Sequence, residues 1–283
     1  MELQNMYNEI SRRVERYVGL SENDYTGADG LIYCGNCHTR KQSYITNPLT
    51  KETKAQFHMC DCKRKANEEE RRREEQREFE RYVEDLRRAG FDDSDLQSWV
   101  FAKDDRADAR LSTAMHNYVD KFDDFEKIGQ GLILFGNTGT GKTFAAACAA
   151  NALIDKGVPC LMTSFPRIIN ILGGKYDGKQ DYIDRLNNFR LLVIDDFNVE
   201  RTTDYVNEIV YSIIDGRYRA KLPMILTTNL TAEELKNPDD IKRQRIYDRV
   251  LERCLPLEVN GESRRRKMLA AKNADIRKML GIR

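Results

Sequence analysis

The sequence predicts an α/β fold with a parallel sheet, on three observations. From residue 91 onward, short apolar runs alternate with helical stretches. A glycine-rich turn follows one of these runs directly, and another run ends in two adjacent aspartates. Apolar runs this short and unbroken fit strands covered on both faces, and helices between them supply the cover.

The elements follow in chain order. Ile10, Val14, Tyr17 and Val18 recur at helical spacing, so residues 1–20 are expected to form a short helix that stops at Gly19. Residues 31–62 are punctuated by Gly, Thr and Asn around β-prone pieces (Leu31–Tyr33, Ser43–Thr46), the pattern of a small knuckle organised by a metal. The stretch 63–88 holds ten basic and nine acidic residues. It reads as a charged helical linker closed by Gly90, with favourable pairs such as Glu68 to Arg72, each worth a few tenths of a kcal/mol. Phe79, Tyr82, Val83 and Leu86 form a short stripe on it that is expected to dock. Domains are therefore expected at 1–62, 63–90 and 91–283. Within the last, helices are expected at 111–128, 142–156, 165–172 and 204–220, and strands at 131–135, 158–163, 191–194 and 224–228.

Gly136-Asn137-Thr138-Gly139-Thr140-Gly141-Lys142-Thr143 fits the pattern G-x-x-x-x-G-K-[ST] and lies between the strand GLILF and an Ala-rich helix. Glycines let the backbone wrap an anion with its N–H groups inward, and the new helix offers the positive end of its dipole. Lys142 is then placed for the β- and γ-phosphates of ATP, and the Thr143 hydroxyl for Mg²⁺. The run Leu191–Ile194 delivers Asp195 at a strand edge, where it can hold Mg²⁺ through water. Asp196 beside it can polarise an attacking water. Met224–Thr228 ends in Asn229, which can sit between the γ-phosphate and that water, although Asn229 and Thr231 are equally good helix caps. Trp99 and Phe101 are candidates for packing near the base.

Seven cysteines are present. Cys148, Cys160 and Cys254 stand singly in apolar surroundings, as buried thiols do. Cys34-Gly-Asn-Cys37 and Cys60-Asp-Cys62 offer four thiolates from two tight turns, a set suited to structural Zn²⁺. His38 and His58 flank the pairs, and either could replace a cysteine. Few apolar residues lie in 31–62, so a metal would decide folding there.

A hydrophobic content of 40% beside 33% charged residues suits a water-soluble chain. No apolar run is long enough to span a bilayer, and residues 1–17 have no signal-like apolar core. No membrane partner and a cytoplasmic location are expected. The net charge of +1 hides a tail, 241–283, with thirteen basic and five acidic residues. Such a tail can attract phosphates or nucleic acid, or be a solvated helix.

Taken together, GNTGTGKT, LLVIDD, ILTTN, the segment Arg245-Ile-Tyr-Asp-Arg249-Val and Arg264-Arg265-Arg266 resemble the AAA+ P-loop ATPases. Among these they resemble the DnaC/DnaI-type helicase loaders and the related IstB-like transposition ATPases. The resemblance covers roughly residues 91–270. It implies an ATPase that is weak alone and stimulated by assembly and DNA. Asn229 would be sensor 1, and Arg265 sensor 2 in cis. Arg249 would be an arginine finger offered to a neighbouring copy, hence self-association. The resemblance also implies a replicative DnaB-type helicase as partner, and single-stranded DNA bound through the segment after the second strand. There Arg167, Lys175, Tyr176 and Lys179 supply charge and stacking. A zinc knuckle ahead of the ATPase occurs in some DnaI-like loaders. A transposition ATPase acting with a transposase, or a zinc-containing nucleic-acid-binding ATP switch, are the competing expectations.

Overall fold

The structure, a computed structural model, describes residues 20–46, 48, 51–91, 93–173, 178–197, 203–238 and 240–280. Residues 1–19 of the helix expected over 1–20 lie outside the described residues, as do Lys175 and Tyr176. The chain divides into two units, Met1–Glu80 and Arg81–Arg283.

In the first unit, β1 (Tyr25–Thr26) pairs antiparallel with β2 (Ile32–Tyr33), and β3 (Gln42–Thr46) with β4 (Thr53–Phe57). The long helix α1 (Asp61–Gly90) begins here and runs into the second unit. Two-stranded hairpins this small are marginal alone. An internal brace is present: Lys41 Nζ donates to Asp24 at 2.6 Å, with side chains only 2% and 5% exposed. Asp24 also accepts from the Ser21 and Gly35 N–H groups.

In the second unit, β5 (Gly131–Phe135), β6 (Cys160–Ser164), β7 (Leu191–Asp195), β8 (Met224–Thr228) and β9 (Cys254–Glu258) form one parallel sheet in the order β6-β7-β8-β5-β9. The α/β expectation therefore agrees with the structure. Strand β5 is wholly buried between β8 and β9, as its apolar run requires. Strand β9 carries Pro256, which has no N–H to give, and it lies at an edge where none is needed on the outer side. One face of the sheet packs on α4 (Lys142–Asp155), whose alanines let the helix approach closely. The other packs on α5 (Phe165–Gly173), α6 (Lys179–Leu186), α7 (Asp204–Ala220) and α9 (Ile241–Arg253) through residues such as Ile168, Ile209, Ile213 and Val250.

Three expectations need correction. Residues 111–128 are not one helix but α2 (Ala109–Asp120) and α3 (Phe122–Ile128), broken at Lys121 with φ −109° and ψ 23°. The break turns Phe122 and Phe125 onto the buried ring of Tyr118, at 5.9 and 4.8 Å between centroids. The stripe on α1 docks only in part. Val83 and Leu86 pack against the core of the second unit, whereas Phe79 and Tyr82 remain 43% and 46% exposed. The strand expected at 158–163 starts at Cys160, because Val158 N–H closes the end of α4 by bonding to Leu153 O. The short helix α8 (Ala232–Lys236) and the tail helix α10 (Arg264–Met279) complete the unit.

Candidate nucleotide site and cysteine centre

The loop between β5 and α4 turns on glycines with positive φ. At Gly136 (φ +134°) a Cβ would stand 2.6 Å from Val259 O, so backbone packing as well as φ excludes a side chain. Gly141, also left-handed, caps α4 and leaves its first N–H groups free of any side-chain acceptor. Lys142 follows at once. Its ammonium, on a residue 5% exposed, donates to Gly136 O (2.8 Å), Asn137 O (2.8 Å) and Asn229 Oδ1 (2.9 Å). Burial lowers the Lys142 pKa, and the charges of Asp196 and Asp195 act in the opposite sense. Thr140 closes the loop by donating to Asn137 O at 2.9 Å.

A cleft of about 690 Å³ opens over this loop, a size suited to a nucleotide. It is lined by Thr138, Gly139, Gly141, Lys142, Thr143, Asp196, Asn229 and Arg265. The far wall comes from the segment between α1 and α2 and includes Trp99, whose ring centroid is 5.9 Å from that of Phe144. Arg264 stands between the walls, paired with Asp105 at 2.8 Å. Phe101 turns away and stacks on His116 at 3.9 Å, so only Trp99 of the two aromatic candidates reaches the cleft.

Asp195 ends β7, and Asp196 follows in a left-handed conformation, φ +52°. Burial raises the Asp196 pKa, the neighbouring Asp195 charge raises it further, and Arg265 and Lys142 pull it back. Asp196 faces the cleft. Asp195 instead lines an adjoining hollow with Asp93, Ser164 and Arg167, and its Oδ1 accepts from the Thr227 hydroxyl at 2.6 Å. The cap ambiguity is also resolved. Thr231 caps α8 in a reciprocal pair with Glu234, which leaves the Asn229 amide free to meet Lys142.

The remaining candidates are more scattered. Arg249 on α9 is held to α7: its Nε donates to Asp215 and its Nη2 to Tyr211 Oη, at 2.8 and 2.9 Å, and its guanidinium lies 4.8 Å over the Tyr211 ring. Lys179 sits over the exposed Tyr205 ring at 5.1 Å and within 3.7 Å of Glu208. Arg167 faces the hollow beside Asp195.

In the first unit, Cys34, Cys37, Cys60 and Cys62 bring their Sγ atoms within 4.8 Å of one another. Neither His38 nor His58 joins that group: His38 Nδ1 pairs with Tyr25 Oη at 3.2 Å, and His58 Nδ1 lies near Met59 O. The turn Cys34–Thr39 is closed by backbone bonds in both directions. A bond from the Thr39 hydroxyl leads the effects that draw Cys37 down to about 5, while contact with Cys60 and the other sulfurs drives Cys62 up to about 12. Four thiols this crowded cannot all ionise alone. A tetrahedral zinc, with Zn–S near ~2.3 Å, takes up their charge, so the donor set fits that metal.

Three side chains with structural consequences carried no sequence signal: Thr227, Asn151 and Arg217. Asn151 is a single amide in an Ala-rich helix, and Arg217 an ordinary helical arginine. Only the fold buries them.

Comparison with known proteins places this site in context. The replicative helicase loader DnaI of Bacillus subtilis (strain 168) is 23% identical over 282 residues, covering 93% of this chain and 85% of that protein. The replicative helicase loader DnaC of Escherichia coli (strain K12) is 29% identical over 137 residues, 47% of this chain and 54% of DnaC. Crystal structures of DnaI and DnaC share the fold, with TM-scores of 0.53 and 0.51 at 22% and 21% identity. They cover 63% and 59% of this chain, and 98% and 100% of their own. Among the described residues no helix is long and apolar enough to cross a membrane. The model of the IstB-like ATP binding protein family matches residues 48–271, and the chain belongs to that family.

Proposed function

We propose that the protein is an ATPase that loads a replicative DnaB-type helicase onto single-stranded DNA. The observation carrying this reading is the meeting of Lys142, Asp196, Asn229 and Arg265 around one cleft, in a chain similar to DnaI along 93% of its length. That likeness extends beyond the family model's residues, which favours a loader over a transposition ATPase.

In this reading the loop 136–143 holds the phosphates of ATP. Phosphate oxygens replace the carbonyl and amide acceptors that Lys142 now has. Thr143 and Asp195 would hold Mg²⁺, which would supply charge neutralisation at the phosphates. Asp196 orients water and accepts its proton, and Asn229, released from Lys142, fixes the position of that water. Arg265 contributes positive charge in cis, and Arg249 contributes it in trans on assembly of two or more copies. Turnover is accordingly slow in the free protein. The four-cysteine centre holds zinc and folds the first unit, whose partner is the helicase. Single-stranded DNA contacts fall to Arg167, Lys175, Tyr176 and Lys179, and the protein acts in the cytoplasm. The domain limits 1–62, 63–90 and 91–283 follow this division of labour.

The test is to mix the purified protein with a DnaB-type helicase and follow complex formation by size-exclusion chromatography, with and without ATP. A stable co-eluting complex is expected. Separate elution under both conditions would count against loading while leaving the ATPase reading open to a direct turnover assay.

A further inference from the structure

We propose that Thr227 is a positioning residue that sets both aspartates of the nucleotide site through a single hydroxyl. The inference rests on the reading of Asp195 and Asp196 given above and adds a residue to it. Thr227 is on β8, next to β7 in the sheet. Its Oγ1 donates to Asp195 Oδ1 at 2.6 Å and accepts from the Asp196 backbone N–H at 3.0 Å. The hydroxyl's only hydrogen and one of its two lone pairs are thereby engaged by consecutive residues. Thr227 is 0% exposed, so water cannot take over either bond.

Each bond has a distinct consequence. The first occupies one oxygen of the Asp195 carboxylate and fixes its rotation, leaving Oδ2 without a bond to Thr227. The second holds Asp196 at φ +52°, a conformation that costs a non-glycine residue free energy and persists only where its surroundings impose it. Two further bonds brace the same turn: Phe197 N–H donates to Thr227 O at 2.7 Å, and the Thr228 hydroxyl donates to Phe197 O at 2.8 Å. Threonine suits the role because branching at Cβ restricts χ1 and so aims the hydroxyl. Valine has the same shape without the bonds, and serine has the bonds without the branch.

The experiment measures ATP affinity of the full chain by calorimetry across a Mg²⁺ titration, starting from magnesium-free buffer without chelator so that the cysteine centre is undisturbed. Turnover is measured in parallel. For Thr227→Val, the Mg²⁺ concentration giving half of the tightening in ATP affinity should rise about 10-fold or more, and kcat should fall by about 10–100-fold, as when a partner orienting a metal-holding group is removed. ATP affinity without Mg²⁺ should move by less than about twofold. Thr227→Ser should restore the Mg²⁺ midpoint to within about threefold of the natural protein. If valine is not tolerated in the core, Thr227→Cys, with a weakly bonding thiol, makes the same comparison. A natural-like midpoint in Thr227→Val or Thr227→Cys overturns the proposal, and so does a serine variant as impaired as the valine one, which would mean that packing alone matters. If the natural protein shows no Mg²⁺-dependent ATP affinity, the nucleotide reading itself falls, a result separate from the other two.

Discussion

Replacing Asn151 by alanine tests how the wall of the cleft is held. Asn151 is 0% exposed, and its Nδ2 donates to Leu96 O and Trp99 O at 2.9 Å each and to Ala147 O at 3.1 Å. Its Oδ1 accepts from Arg87 Nη1 at 2.8 Å. These bonds differ in what their loss leaves behind. Ala147 O keeps its helical partner, Leu96 O keeps the Trp99 N–H, and Arg87 keeps Asp155. Trp99 O loses the one donor described for it, an orphaned carbonyl worth about 1–3 kcal/mol, and the bond to Leu96 O adds about 0.5–1.5 kcal/mol. Alanine returns up to ~0.7 kcal/mol through helix propensity. The net loss is therefore about 1–4 kcal/mol. Trp99 is the only tryptophan in the sequence, so its fluorescence during urea unfolding reports on this segment directly. Because Trp99 lines the cleft, ATP affinity should weaken together with stability. An Asn151→Ala protein within 0.5 kcal/mol of the natural one, with Trp99 emission unchanged, would refute the reasoning.

Three further outcomes follow from the same geometry. Arg249→Ala should lower assembly-stimulated turnover by about 10³-fold with ATP affinity nearly unchanged; a fall in melting temperature with turnover intact would make Arg249 only a brace between α9 and α7. Asp24→Asn removes the carboxylate that pairs with the buried Lys41 ammonium and should destabilise the first unit by on the order of 3 kcal/mol, measured by hydrogen exchange in residues 20–60. The sign with pH is fixed by the shifts. Burial is the largest single effect and opposes the charge on both groups. It is outweighed by their mutual bond and attraction, together with the Ser21 and Gly35 N–H groups on Asp24 and the Cys34 and Cys60 charges near Lys41, so Asp24 lies below 3.8 and Lys41 above 10.5. The penalty should thus be full at neutral pH and shrink as pH climbs towards and through the raised Lys41 value. Cys60→Ser should abolish a zinc content of about one per chain by atomic emission and unfold the first unit, since structural zinc contributes about 10–16 kcal/mol in small domains. A metal-free natural protein with the same exchange protection would refute the centre.

Much of the site was legible because its parts are local. A loop that must wrap an anion needs its glycines, its lysine and its helix start within eight residues, and a buried strand ending in carboxylates announces both its burial and its exit point. Asn229 was only half legible: it and Thr231 are both competent caps, and the Glu234 partner that settles the cap on Thr231 leaves Asn229 to Lys142, 87 residues away. The break at Lys121 was illegible because helical periodicity continues across it, and only the Tyr118 ring explains why the chain turns.

By itself, then, the sequence determined an α/β core, the loop and the strand end that face each other, and the four cysteines. Apolar periodicity and residue spacing are properties of neighbours along the chain. The tertiary structure alone decided which polar side chains became structural. The strand order β6-β7-β8-β5-β9 sets Thr227 against Asp195 across 32 residues, the packing of α4 sets Asn151 against Trp99, and the hairpins of the first unit bury Lys41 on Asp24. A hydroxyl, an amide and an ammonium look ordinary in a sequence. Each acquires its role when the fold removes water and brings its partners within reach.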